Sequence, residues 1–543
     1  MNRRIPSALS LAFAILAASA VGAGIAAAQD EPPAQTPKAA PQPAPRPAPK
    51  AEKSVTQGAV TVGGARIAYD ATAGILILKN KDEKPIASMS YVAYTKSGVT
   101  DPSERPLTFC YNGGPGSSTI WLHMLALGPR RVVVGNGTLT PPAPYKMVNN
   151  DDSLLDATDL VFIDAPGTGF GRVIGKDEGG AGTPKDVFGI DEDAHAFADF
   201  ITQYLTENNR WTSPKYLFGE SYGTTRSAVL SHVLLTDRGV GLNGVVLLSS
   251  ILNWNISVDF PQIDPGINIA YELGLPSYAA TAYYHHKLPQ APKDLDSFLK
   301  EVEQFAVTDY ARALDQGDQL DATTRQQIAD KLHAYTGLPV AYLLKAGLKV
   351  TGGQFAQTLL GDDAMITGRL DARYSGPTLN PLGEEAGGDP LDSSINAPTI
   401  AQFNQYVRET LKFGKDMTYR PQADVFAAWD FKHQPPGAPF KLPFTPNVML
   451  DLAAAMKFAP NMRVMLAGGY FDLGTPFYAA EFEMHQMGIQ PELQKNISYH
   501  FYPSGHMVYL DPAVLHRLHD DAAKFIRGGG QGGQQTSGPM KQK

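Results

Sequence analysis

The sequence predicts an α/β fold: a mostly parallel central sheet flanked by helices, with antiparallel N-terminal edge strands and a largely helical insertion between the sheet halves. Three observations carry this. Short unbroken apolar runs at 107–111, 160–163, 216–218, 245–248 and 464–466 end in Gly- or Asp-rich turns and give way to helical patterns. Strands apolar throughout are buried on both faces, as in parallel sheets covered by helices. Residues 59–96 instead alternate apolar and polar side chains in short runs, among them Val60-Thr61-Val62, Ile75-Leu76-Ile77-Leu78 and Met89-Ser90-Tyr91-Val92-Ala93-Tyr94. That is the texture of antiparallel strands at a sheet edge. Between 254 and 460 the strand–helix rhythm is lost, and helical stretches at 295–305 and 323–335 alternate with Gly/Pro-rich loops.

The chain of 543 residues is 43% hydrophobic and 18% charged, long enough for one large domain carrying insertions or for two domains. A net charge of -8, with no basic run interleaved with aromatics, argues against nucleic-acid binding. At the N-terminus Arg3-Arg4 precede an apolar stretch that ends in Ala26-Ala27-Ala28. This is the layout of a cleaved export signal over residues 1–28, leaving a periplasmic or secreted protein with no stable membrane insertion. Residues 29–55 are dominated by Pro and Ala and read as a disordered linker, and 528–543 as a flexible Gly-rich tail. The globular part then divides into 56–253, an insertion or cap at 254–460, and 461–527. The single cysteine, Cys110, excludes an internal disulfide and lies inside an apolar run, so it reads as a buried strand residue.

The candidate chemistry centres on Gly219-Glu220-Ser221-Tyr222-Gly223, which follows the apolar run Tyr216-Leu217-Phe218 and precedes a helical pattern. By itself this is an ordinary strand–turn–helix connection. A serine at the tip of such a turn is a nucleophile elbow, in which glycines two residues either side remove side chains that would collide. The run 107–111 ends in Asn112-Gly113-Gly114-Pro115-Gly116. A Gly-rich loop there supplies one oxyanion donor and the residue after the serine the other, which nominates the N–H groups of Gly114 and Tyr222.

A serine nucleophile needs a histidine to take its proton and a carboxylate to orient that histidine. In α/β hydrolases these follow in the order Ser, acid, His. Asp472 ends the turn after Val464-Met465-Leu466-Ala467-Gly468-Gly469, and His506 follows Tyr499-His500-Phe501-Tyr502 in Pro503-Ser504-Gly505-His506. The triad is therefore Ser221, Asp472 and His506. Among the 12 histidines, His500 reads as a packing or surface residue, and His195, His516 and His519 as solvated helix residues. Asp451, a rival for the acid, reads as the start of a helix. No metal site and no cofactor is expected.

Taken together, Asn112-Gly113-Gly114-Pro115-Gly116, Asp164-Ala165-Pro166-Gly167-Thr168-Gly169-Phe170, Gly219-Glu220-Ser221-Tyr222-Gly223 and Gly505-His506-Met507 resemble, in order, the signatures of the serine carboxypeptidase family, here in an exported bacterial member. The resemblance covers 88–252 and 463–525 and implies an α/β-hydrolase fold. It implies removal of single residues from peptide C-termini, so the partners are peptides with a free C-terminus. It further implies that Asn112, the N–H of Gly113 and a protonated Glu220 bind the substrate carboxylate. Two departures stand out: Cys110 replaces a tryptophan, and a second glutamate that pairs with the first in the family falls at Ala126. Serine-type carboxypeptidase action through an acyl-enzyme is the leading expectation. An esterase or acyltransferase using the same triad is the main alternative, and an envelope-binding protein with vestigial catalysis a third.

Overall fold

Ten strands form one sheet in the computed structural model, which describes residues 50–528. The export signal, most of the Pro/Ala linker and nearly all of the Gly-rich tail lie outside the described residues. β1 (Glu52–Val62), β2 (Ala65–Lys79) and β3 (Pro85–Lys96) make an antiparallel ribbon. β1 starts inside the stretch read as linker, because residues from Glu52 onward already pair with β2, Glu52 opposite Ile75. β3 passes antiparallel to β5 (Asp159–Ile163) and carries the two-residue β6 (Arg172–Val173) at its side.

Beyond β5 the pairing is parallel. β5 lies beside β4 (Leu107–Tyr111), then β7 (Lys215–Glu220), β8 (Gly244–Leu248), β9 (Arg463–Gly469) and β10 (Ile497–Tyr502). The expected apolar runs are these strands. Alternate residues feed two cores, as the two-residue repeat of a strand demands. Cys110, Phe162, Phe218, Val246 and Met465 face one side, where α6 (Pro390–Glu409) and α8 (Pro512–Ile526) pack. Phe109, Val161, Leu217, Val245 and Leu466 face the other, under α1 (Ile190–Glu207), α2 (Tyr222–Thr236) and α7 (Met449–Phe458).

The region expected as one insertion at 254–460 divides by what it packs on. α3 (Ile269–Tyr284), α4 (Leu295–Phe305) and α5 (Ala322–Thr336) share a separate apolar core with Leu275, Val302, Phe305, Leu332 and Tyr335. That is the cap. α6 instead lies on the sheet, and α7 lies on α2 through Leu452, Ala453, Ala455 and Met456. The apolar faces of α6 and α7 thus join the two cores that flank the sheet. Among the described residues no helix is long and apolar enough to cross a membrane.

Candidate active site

The elbow forms where β7 ends. Ser221 sits at φ 61° and ψ -131°, between the last strand residue and the first turn of α2. Such a conformation costs on the order of 1–3 kcal/mol outside glycine and persists only where the surroundings enforce it. Here the Ser221 N–H donates to the Leu248 carbonyl of β8 at 2.9 Å. A Cβ on Gly219 would run into the Gly223 carbonyl oxygen and approach Ser227 Oγ at 2.5 Å. Glycine is required there, as the pattern implied.

Asp472 and His506 lie in the loops after β9 and β10, two and three strands from β7, which carries the elbow. His506 Nδ1 and Asp472 Oδ2 are 2.7 Å apart, with both side chains buried. The other carboxylate oxygen, Oδ1, accepts from the N–H groups of Gly474 at 2.8 Å and Thr475 at 2.9 Å. Thr475 Oγ1 donates to Asp472 Oδ2 at 2.7 Å and stands 3.0 Å from His506 Nδ1. With Nδ1 committed to Asp472, Nε2 is left as the ring's acceptor. Burial penalises the imidazolium, but Asp472 and then Glu220 attract it more strongly than Arg369 repels it, so the ring is held above the ordinary histidine range. The Ser221 hydroxyl makes no hydrogen bond among the described residues, to His506 or to any other group. Catalytic hydrogen bonds commonly tighten only with substrate in place.

A segment between α5 and α6 braces both loops. The Arg369 carbonyl accepts from Leu473 N at 2.9 Å, Leu370 O from His506 N at 2.6 Å, and Ala372 N donates to Phe471 O at 2.9 Å. Arg373 is bonded to Asp371 and to Ser504 Oγ, and the Ser249 hydroxyl after β8 holds the His506 carbonyl at 2.6 Å. These braces and Thr475 were not legible in the sequence, because no local pattern marks them.

The Gly-rich loop after β4 presses on the elbow so closely that a Cβ on Gly113 would strike the Tyr222 nitrogen. No hydrogen bond among the described residues takes up the N–H of Gly113, Gly114 or Tyr222; the last is a first-turn N–H of α2, without a helical carbonyl to meet. Four contacts fix the loop. Arg226 of α2, fully buried with Asp193, donates to the Asn112 carbonyl at 2.8 Å. Asp164, first residue of the second family signature, accepts from Thr119 N at 3.0 Å, Ser90 Oγ at 2.6 Å and Tyr419 at 3.0 Å. Burial pushes its carboxyl up to about 6. Finally, Ala423 N donates to Gly116 O at 2.8 Å and Ser118 N to Pro421 O at 2.9 Å.

Glu220, last residue of β7, is buried beside the elbow. Its Oε1 accepts from Asn112 Nδ2 at 2.8 Å, while Asn112 Oδ1 accepts from Leu122 N at 3.0 Å. Asn112 is thus engaged on both sides of its amide. Burial raises the Glu220 carboxyl to about 7, against the opposing pull of His506, Tyr509 and Asn112. Ala126 is buried in the helical turn 122–127 and offers no polar group there.

The competing residues fall elsewhere. Cys110 is buried in β4, and burial pushes its thiol well up. His195 is exposed on α1. His500 lies 3.1 Å from Asp521, and His516 lies 2.7 Å from Asp152. His519, expected to be solvated, is 8% exposed and 3.1 Å from Asp156, because its face of α8 turns inward. Asp451 does sit in the first turn of α7, but its carboxylate is buried against His433 at 2.8 Å. Among the described residues no group of His, Cys, Asp and Glu side chains is arranged to hold a metal.

Residues 72–334 match a protein family described as serine carboxypeptidase. Over that span, a little under half of the chain, the sequence is similar to the serine carboxypeptidase family. The matched span contains Asn112, Asp164, Glu220 and Ser221, and ends before Asp472 and His506. The pheromone-processing carboxypeptidase KEX1 of Saccharomyces cerevisiae is 29% identical over 163 residues, which is 28% of this chain and 21% of that protein. The protein of the same name from Phytophthora infestans is 26% identical over 163 residues, 28% of this chain and 23% of its own. The matched stretch thus covers under a quarter of these curated relatives. In fold, the chain is similar to the crystal structure of a prohormone-processing carboxypeptidase from Saccharomyces cerevisiae. The TM-score is 0.51 at 16% identity, over 85% of this chain and 91% of that one.

Proposed function

We propose that this chain is a serine-type carboxypeptidase that releases C-terminal residues from peptides through an acyl-enzyme. The observation that carries the reading is the buried Asn112–Glu220 hydrogen bond, 2.8 Å long, beside the elbow serine. Burial raises the Glu220 carboxyl to about 7, so it keeps its proton at mildly acidic pH. A protonated carboxyl donates a hydrogen bond to another carboxylate.

In this reading His506 Nε2 takes the Ser221 proton as Oγ attacks the scissile carbonyl, and Asp472 stabilises the imidazolium that results. The N–H groups of Gly114 and Tyr222 bind the oxyanion, each worth roughly 2.7–4 kcal/mol of transition-state stabilisation. His506 then gives its proton to the leaving amine, the C–N bond breaks, and water hydrolyses the Ser221 ester by the same cycle. Asn112, the Gly113 N–H and Glu220 hold the terminal carboxylate. The Glu220 proton does two things. It makes Glu220 a donor, and it removes a negative charge that raises His506, so the ring releases its own proton more readily. The N-terminal sequence supports export to the periplasm or outside the cell.

The test is release of the last residue from N-blocked dipeptides, with labelling of Ser221 by a fluorophosphonate. Ser221→Ala abolishes both. A wild-type protein that cleaves small esters but no such peptide carries the esterase reading instead. A folded protein whose serine never labels is not a serine hydrolase.

A further inference from the structure

Close to the elbow, a second polar side chain is buried without a bond. Tyr509 lies in the short helical turn Val508–Leu510, just after His506, and is 1% exposed. That turn packs on the helix at 122–127. The Tyr509 hydroxyl faces the Glu220 carboxyl and the Asn112 side chain. Yet neither the hydroxyl nor Glu220 Oε2 completes a hydrogen bond. Leaving two such groups buried and unpaired is unfavourable. Two facing, unsatisfied groups at one spot have the form of a site that closes on something.

We infer that Tyr509 is a specificity-determining residue of the Glu220–Asn112 site, donating its O–H to Glu220 Oε2 when that carboxyl is ionised and releasing the bond when Glu220 turns to an incoming carboxylate. The inference rests on the carboxylate-recognition reading of Glu220 above. Around Glu220 the charged and titratable groups are His506 from the loop after β10, Asp472 from the loop after β9, and Tyr509. His506 and Tyr509 favour the ionised carboxyl, and Asp472 disfavours it. Tyr509 therefore sets how far pH can rise before Glu220 stops donating. A hydroxyl that donates to the ionised form favours it, so removing that hydroxyl makes Glu220 hold its proton to higher pH.

The experiment measures KM against pH for a matched peptide pair, one with a free and one with an amidated C-terminus, in wild type and Tyr509→Phe. The pH at which the free-acid preference is lost moves upward in Y509F, by roughly half to one pH unit. A structural role alone leaves that midpoint in place. Because Tyr509 is buried, 3-fluorotyrosine at the same position is the second arm: it keeps the ring and strengthens the donor, and the midpoint moves downward. Wild-type preference for free acids with an unmoved midpoint in both variants overturns the role of Tyr509 alone. Absence of any free-acid preference in wild type overturns the Glu220 reading, and this inference with it.

Discussion

Asn112 and Glu220 share a buried hydrogen bond of 2.8 Å across the gap between two parallel strands, β4 and β7. One side chain comes from the Gly-rich loop after β4 and the other from the residue before the candidate nucleophile. Parallel strands deliver their C-terminal ends to the same edge, and ligands bind in the crevice there. The bond joins the part of the site that would hold charge on the substrate to the part that would attack it.

Glu220→Gln tests the carboxyl's protonation. The wild-type group is raised from 4.5 to about 7, so it is a hydrogen-bond donor below that pH and loses the role as pH rises through it. KM for free-acid peptides accordingly rises above neutrality in wild type. Glutamine donates at every pH, and E220Q flattens this rise. A hydrogen bond to a charged group is worth about 1.5–3 kcal/mol, roughly 10- to 100-fold in KM.

Thr475→Val removes a hydroxyl that bonds Asp472 at 2.7 Å and stands 3.0 Å from His506. The carboxylate keeps its two backbone donors, so the loop survives. The loss of about 1 kcal/mol of orientation lowers kcat roughly fivefold. Steady-state kinetics on one peptide substrate measures it, and KM stays close to wild type.

Arg226→Met leaves Asp193 as an unpaired buried charge, since the two carboxylate–guanidinium contacts are wholly enclosed. Breaking such a pair from one side costs about 3–5 kcal/mol, whereas replacing both members by apolar residues is often neutral. Arg226→Met lowers the melting temperature, and Arg226→Met with Asp193→Leu recovers most of it. The double variant still has a raised KM, because nothing then holds the Asn112 carbonyl.

How much of this was legible in the sequence follows the distance over which each signal acts. Leu107–Tyr111 was readable as β4 because a strand apolar at every position declares burial on both faces. That Asp472 and His506 come within reach of one another was foreseeable, because each lies a few residues past the C-terminal end of neighbouring parallel strands. Arg226, Thr475, Tyr509 and the brace at Arg369–Arg373 were not, since their roles depend on partners far along the chain. His519 was misread for a related reason: on helix periodicity alone, its buried partner Asp156 is invisible. Helix α7 was assigned to the insertion because nothing in residues 449–458 reveals that their apolar face matches α2.

His433 shows the same limit and yields a stability prediction. It lies 2.5 Å from Asp191 and 2.8 Å from Asp451, and pins the strap after α6 to α1 and α7. Burial opposes the imidazolium, but the two carboxylates outweigh it and raise the ring from 6.5 to about 9. A raised folded pKa contributes stability that is complete below 6.5 and is lost as pH climbs through 9. Thermal melts between pH 7 and 10 show a falling melting temperature in wild type and a flatter profile in His433→Gln.

The central claim is recognition of a free C-terminal carboxylate next to Ser221. Its most direct test is kcat/KM at mildly acidic pH for one peptide sequence presented as the free acid and as the amide, with Ser221→Ala as the blank. The account predicts release of the C-terminal residue from the free acid at least tenfold faster than cleavage of the amide, and none by the blank. Equal rates on the two peptides, or turnover surviving in S221A, contradict it.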